Sequence, residues 1–422
     1  MKKQINVPSI IFSRFNEDSS WKLKKFKELL DPTEGIRRGP FGSALKKELF
    51  VQNSEYVVYE QQNAIYDHFN TRYRISEEKY HELKKFMLLP GDFIMSGAGT
   101  IGKISLVPEG IEKGVFNQAL IRLRVNKNTD KAFFLQWMRS PEMQNKLTKA
   151  NPASAMVNLV PMSEVKEWDV IVPSFHEQSA IGYLFRTLDD LLASYKDNLT
   201  NYQFLKATML SKMFPKVGQR VPEIRLDGFE GEWEVQTLKE LARFSKGNGY
   251  IKNDLVNSGK EIILYGQLYT NYQTVISKVN TFVTTVKANA VISKGGEVIV
   301  PASGESAEDI SRASVVEKSG IILGGDLNII YPDKKKVDSI FLALTISNGS
   351  QQKELIKRAQ GKSVVHLRNK DLEKVILHYP SIAEQQAIGA YFSNLDNLIN
   401  SHQEKITQLE ALKKKLLQDM FI

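Results

Sequence analysis

One helix is written twice in this chain. Residues 173–214 read PSFHEQSAIGYLFRTLDDLLASYKDNLTNYQFLKATMLSKMF, and residues 380–421 read PSIAEQQAIGAYFSNLDNLINSHQEKITQLEALKKKLLQDMF. The two align without a gap. Identities include Pro173/Pro380, Glu177/Glu384, Gln178/Gln385, Gly182/Gly389 and Phe214/Phe421. The period is far longer than any solenoid unit, so it marks domain duplication rather than a stacked array. The echo continues upstream. VPSI at 7–10 returns as VPEI at 221–224, WKLKKFKEL at 21–29 as WEVQTLKEL at 233–241, and VVYEQQ, ending at Gln62, as ILYGQL at 263–268. The chain therefore divides into a globular half at 1–172, a helix at 173–214, a second globular half at 215–379 and a second helix at 380–422.

Pro173 and Pro380 stand just before each helix. Ser174 and Ser381 are N-cap candidates, and Glu177 and Glu384 follow at capping-box spacing. Heptads run through both copies. Phe185, Leu192, Leu199, Lys206 and Met213 hold one core position, and Leu188, Tyr195, Tyr202 and Met209 the other. The second copy gives Phe392, Ile399, Ile406, Lys413 and Met420, with Leu395, His402, Leu409 and Leu416. A lysine at the same core position in both copies lowers stability but can fix register. Each helix spans roughly 57 Å, and its apolar seam needs a partner. Two like segments related by an internal two-fold pair antiparallel. The expected fold is α+β: two mixed α/β globular domains separated by two long antiparallel coiled-coil helices, with pseudo-two-fold symmetry.

Composition narrows the function. The 422 residues, 42% hydrophobic and 25% charged, suit two or three soluble domains. No apolar run approaches the roughly 18 residues of a membrane span, and MKKQINVPSI lacks the apolar core of a secretion signal. Cysteine is absent, which excludes disulfides and thiolate zinc sites and fits the reducing cytoplasm. FHEQSA begins like a zinc-protease helix, but Ala180 occupies the second ligand position, so no metal site is expected. The net charge of +9 is distributed as +6 over 1–172, 0 over 173–214, +4 over 215–380 and −1 over 381–422. The globular halves carry the excess, which points to a polyanionic partner such as nucleic acid.

SGAGTIGKIS, 96–105, comes within one residue of a phosphate loop, with Ile104 where the magnesium-binding hydroxyl belongs. Such a loop needs a helix after it. KISLVPEG instead alternates like a strand, which predicts a glycine turn between two strands. GGEVIVPASGES, 295–306, is its counterpart in the second half and lacks the Gly-Lys pair.

The candidate nucleic-acid contacts cluster elsewhere. EGIRRGPFGSALKK, 34–47, sets Arg37, Arg38, Lys46 and Lys47 around a Gly-Pro-Phe-Gly turn. YEQQNAIY, 59–66, offers Gln61, Gln62 and Asn63, and NTRYRI, 70–75, adds Arg72, Tyr73 and Arg74. Lys103 lies on the glycine turn. The second half offers Lys246, Asn248 and Tyr250, then Gln267, Tyr269 and Asn271. Carboxamides pair bidentately with adenine, and arginine with guanine, in the major groove.

The paired PSFHEQSAIGYLFRTLDDLL and PSIAEQQAIGAYFSNLDNLI, with IRRGPFGSALKK, YEQQNAIY, GDFIMSGAGTIGKISLV and NQALIRL, resemble the specificity (S) subunit of type I restriction–modification systems over essentially the whole chain. The resemblance implies that each globular half is a target recognition domain reading one part of a split, asymmetric site in double-stranded DNA. It implies that the helices set the spacing and dock two methyltransferase (M) subunits, which carry S-adenosylmethionine and methylate adenine at N6. Restriction (R) subunits, using ATP and Mg, join that complex. The S subunit itself carries no catalytic residue and no cofactor. In agreement, the chain has no Asn-Pro-Pro-Tyr methyltransferase signature, NPAS at 151–154 being the nearest approach. On the residues alone, two other readings remain: a coiled-coil scaffold that binds no DNA, and a P-loop NTPase built on Gly97–Lys103.

Overall fold

The computed structural model describes residue 10 and residues 21–149, 161–361 and 364–421. NPAS and residues 7–9 of VPSI lie outside the described residues. The chain forms two compact units: residues up to Tyr195 together with the segment from Lys405 onward, and Lys196–Glu404. Each unit thus takes a globular half and parts of both long helices. Among the described residues no helix is long and apolar enough to cross a membrane.

In the first unit an antiparallel sheet runs in the order Ile36–Arg38, Leu120–Leu123, Phe93–Ser96, Ile104–Leu106. FIMS and LIRL do not alternate in polarity because every residue of both strands is buried. On one face lies helix α1, Lys131–Arg139, whose Phe133, Phe134, Trp137 and Met138 join Phe93, Met95, Ile121 and Leu123 in one core. On the other face, Ile94 and Leu120 meet Val57, Tyr59 and Phe116 of a second sheet. That sheet runs Phe50–Val51, Tyr73–Ile75, Tyr56–Tyr59, Gly114–Phe116, with the last pair parallel.

The second unit repeats both orders. Ala242–Lys246, Leu327–Pro332, Glu297–Pro301 and Ser314–Val316 form one sheet, extended at its edge by Val275–Ile276. Leu255–Val256, Phe282–Val283, Lys260–Ile263 and Ser319–Leu323 begin the other, again with the last pair parallel, and Val291–Lys294 is added. The duplication read from the helices therefore extends through the globular halves.

The long helices are α2, Phe175–Lys212, and α4, Ile382–Asp419; helix α3, Ser339–Ser347, is the second-unit match of α1. In the first unit the early part of α2 packs on the end of α4, with Phe185 against Phe421, which follows α4, at 5.8 Å between ring centroids. In the second unit Phe392, early in α4, stacks on Phe214, which follows α2, at 6.3 Å. The pairing is therefore antiparallel. Phe185, Leu188, Leu192, Phe392, Leu395 and Ile406 are buried; Tyr195, Leu199, Tyr202, Ile399, His402 and Leu409 are half-buried.

The seam lysines are not bare polar residues. Lys413 pairs with Asp189, and Lys206 with Asp396. Asp189 and Asp396 occupy the same position in the two copies. Gln136 Nε2 also donates to Asp189 (3.1 Å), and Thr274 Oγ1 to Asp396 (3.3 Å). Half-exposed pairs of this kind contribute about 1 kcal/mol at most. Their larger effect is on register, since a shift of one heptad would break both pairs.

The shared Glu-Gln-x-x-x-Gly segment is a joint between helix and domain. Ser174 and Ser381 cap as expected, their Oγ atoms accepting from the Glu177 and Glu384 N–H groups at 3.4 Å. The glutamates, however, do not complete a capping box. The Glu177 carboxylate accepts from Trp21 Nε1 (3.2 Å), and that of Glu384 holds Arg225 through two bonds of 2.8 and 2.6 Å. Gln178 Nε2 donates to Pro173 O while its Oε1 accepts from the N–H of Asp130, the residue that caps α1. Gln385 repeats this with Pro380 O and the N–H of Asp338, the cap of α3. A Cβ on Gly182 would lie 2.6 Å from Asp130 Oδ1 and 2.8 Å from Phe133 N, so only glycine lets α2 cross the start of α1 this closely.

Candidate nucleic-acid interface

Strand pairing gathers the candidate loops at one end of each unit. Arg38 pairs with Ile121, Ser96 with Leu120, and Met95 with Ile104. The loops at 39–47, 97–103 and 117–119 therefore leave the same end of the sheet. Tyr59 pairs with Phe116 in parallel, so helix Gln61–Tyr66 starts at that end too. In the second unit Lys246 pairs with Asn328 and Pro301 with Leu327, which places the loops after Lys246 and Pro301 at the matching end.

A glycine opens the leading loop in both units. A Cβ on Gly39 would lie 1.9 Å from Asn117 O, and one on Gly247 1.9 Å from Gly324 O. Their N–H groups donate to Leu120 O (3.0 Å) and Leu327 O (2.9 Å).

The 97–103 segment is the strand–turn–strand expected. Gly99 and Gly102 have φ of +62° and +79°, and the chain returns as the antiparallel strand Ile104–Leu106. Gln61 Nε2 donates to Ala98 O, and Gln144 Nε2 to Gly102 O (2.9 Å), so two side-chain amides fix the turn. A strand, not a helix, follows the turn, and the phosphate-loop reading has no structural support. Among the described residues no group of three or more His, Asp or Glu is placed to hold a metal ion.

The candidate side chains separate into two kinds. Arg38, Lys46, Lys47 and Lys103 are exposed, and none makes an ion pair with another described residue. Gln62 is half-buried. Others are engaged within the fold. Arg37 pairs with Glu34 (2.9 Å), whose carboxyl is held below the usual range chiefly by Arg122 and then by Arg37. Arg72 pairs with Glu60 (2.8 Å) and lies over Tyr73, which stacks on Phe50 at 4.4 Å. Arg74 pairs with Glu112 (2.8 Å).

Two candidates are corrected from loop-surface to interior residues. Asn63 is fully buried; its Oδ1 accepts from Glu60 N–H (2.7 Å) and its Nδ2 donates to His68 O and Asn70 O, both at 2.9 Å. A carboxamide beside two glutamines suggests base contact, but here it closes the start of its own helix. Tyr250 is buried, its hydroxyl accepting from Lys287 N–H (2.6 Å) and donating to Thr285 O (3.1 Å).

In the second unit Lys246, Asn248 and Asn271 are exposed, and Asn248 Nδ2 donates to Asn289 O at 3.3 Å. Gln267 Oε1 accepts from Leu264 N–H (3.0 Å), which is the capping role of Asn63 rather than that of Gln61. The letter-by-letter echo of VVYEQQ and ILYGQL is thus two residues out of structural register. Tyr269 is half-buried, and burial raises its hydroxyl above the usual range.

One surface residue escaped the sequence reading. Phe41, at the tip of the Gly-Pro-Phe-Gly turn, is 90% exposed. Nothing in the pattern distinguishes it from a core phenylalanine.

Known proteins share this arrangement. The family model described as the type I restriction modification DNA specificity domain matches residues 20–226 and again 230–411. The type I restriction enzyme MjaVIII specificity subunit of Methanocaldococcus jannaschii is 20% identical over 97% of this chain and 96% of its own length. The crystal structure of a type I restriction–modification S subunit from M. genitalium superposes with a TM-score of 0.61 at 16% identity, covering 99% of each chain. A second structure, concerned with complex assembly and conformational transition of a type I system, superposes at 0.50 and 16% identity, covering 94% of this chain and 96% of that one. Two family matches, end to end, coincide with the two copies of one sheet order and their two long helices, and the chain belongs to the type I restriction–modification DNA specificity family, as the non-catalytic subunit that supplies DNA sequence specificity.

Proposed function

We propose that this subunit reads a bipartite, asymmetric DNA site, one part with each globular half. The reading rests foremost on one observation: the same loops leave the same end of both sheets yet carry different side chains. Residues 1–172 and 215–379 act as the two target recognition domains, and 173–214 and 380–422 as the helices that set the gap. Arg38, Lys46, Lys47, Gln62 and Lys103 contact DNA from the first domain, and Lys246, Asn248 and Asn271 from the second. Arg37, Gln61, Arg72, Tyr73, Gln267 and Tyr269 shape those surfaces.

The helices also dock two methyltransferase subunits. Leu191 and Leu205, two heptads apart, are exposed on α2, and Leu398 and Leu412 occupy the same positions on α4. Leucines exposed at matching positions of both helices suit two copies of one partner. S-adenosylmethionine belongs to those methyltransferase subunits, which modify adenine at N6. ATP and Mg belong to the restriction subunits that join them, and the whole acts in the cytoplasm.

A genome-wide map of methylated adenines, with and without this gene, tests the reading. Loss of one split, asymmetric motif supports it. An unchanged map, together with no salt-dependent DNA binding by the purified complex, would leave a scaffold role instead. Within the motif, Arg38→Ala and Gln62→Ala should each relax recognition in a single half-site, by about 1–3 kcal/mol. Equal weakening at both half-sites would remove them from base reading.

A further inference from the structure

Phe41 is the most exposed large apolar side chain among the described residues. It is held out rather than left loose. Gly39 is pinned against Asn117, Pro40 is buried, and a Cβ on Gly42 would lie 2.5 Å from Gln118 Oε1. Phe41 O accepts from Ala44 N–H at 2.9 Å, closing a short turn. With the backbone of the turn already held, covering the ring costs only the freedom of two side-chain torsions. The nearest exposed charged side chains in sequence, Arg38, Lys46 and Lys47, are cations suited to phosphates.

We propose that Phe41 reads a base of the first half-site by laying its ring against the 5-methyl group of a thymine in the major groove. This rests on the reading of the chain as a DNA-recognition subunit. The thymine methyl is the apolar feature that distinguishes one base edge from the others in that groove. Side chains that lever base steps open act from the minor groove and kink the duplex, whereas a contact with the methyl edge needs no such deformation. An adenine-methylating complex also guarantees A·T pairs within its half-sites. The second unit has no matching aromatic: Gly247 takes the place of Gly39, and Gly249 then stands where Phe41 does. The methyl contact therefore belongs to one half-site only.

The test uses the complex of this chain with its methyltransferase subunits and duplexes carrying the mapped motif. Each thymine of the first half-site is replaced in turn by deoxyuridine, which removes only the methyl group. At one position the wild-type complex should lose about threefold to tenfold in affinity, as expected for exposing part of one aromatic contact. Phe41→Ala should bind thymine DNA that much more weakly and no longer distinguish uracil. Because the ring packs on almost nothing, this variant keeps the fold. The proposal is overturned if the variant still discriminates, if the wild type discriminates at no thymine, or if 2-aminopurine beside the half-site brightens with wild type but not with Phe41→Ala, which would mean insertion between bases. A wild-type complex that binds no mapped motif would instead defeat the functional reading itself.

Discussion

Arg225→Ala should destabilise the second unit by about 3–5 kcal/mol, because it leaves a buried carboxylate without its partner. The Glu384 side chain is 2% exposed and that of Arg225 15%, joined by two short bonds. Urea unfolding of the full chain would read the loss, and hydrogen exchange would place it in the second unit. The equivalent glutamate of the first unit should behave differently. Glu177 has Trp21 Nε1 in place of an arginine, and burial pushes its carboxyl above the usual range, with the indole N–H acting weakly the other way. A carboxyl raised on folding favours the folded state while it is protonated. That contribution is lost as pH climbs from the ordinary carboxylate range through the raised value. Glu177→Gln keeps an oxygen for Trp21 and removes the charge. It should therefore leave stability at neutral pH intact or improved, and flatten this part of the pH dependence. A loss matching that of Arg225→Ala would show that the two glutamates do the same work.

Phe392→Ala should lower stability by about 3–5 kcal/mol, the range for emptying a fully buried aromatic site. Phe392 is fully buried, in a cluster where Phe214 stacks on it and Phe341 lies 5.8 Å from Phe214. Neither helix nor sheet can collapse easily into the gap, since Gln385 ties α4 to Asp338 at the cap of α3. Phe392→Leu, which refills most of the volume, should recover over half of the loss. If alanine and leucine unfolded at the same urea concentration, the ring would not be filling a rigid site.

The duplication and the helices were legible because a 3.6-residue period and a gapless repeat survive in the letters. The antiparallel pairing followed from symmetry. The partners of Lys206 and Lys413 did not, although Asp396 and Asp189 were in plain view, because heptad position alone does not say which residue lies opposite. The glycine turn at 97–103 was legible from the strand after it. The candidate interface was legible only as loops. Short polar side chains beside turns cap helices as readily as they meet solvent, and that is how Asn63 and Gln267 are used. The Arg225–Glu384 pair was hidden because the echoed VPSI and VPEI are followed by Ile11 and Arg225, so the repeat breaks where the charge enters.

Gly39 and Gly247 fix where the leading loop departs, and the strands Phe50–Val51 and Leu255–Val256 fix where it returns. Between those points one unit has ten residues and the other seven, yet both sheets keep the same order. The interval is in effect a cassette with constant ends. Its length differs between the units while the sheets keep their order, and each copy keeps one buried anchor, Pro40 or Tyr250, so variation is confined to the residues around that anchor.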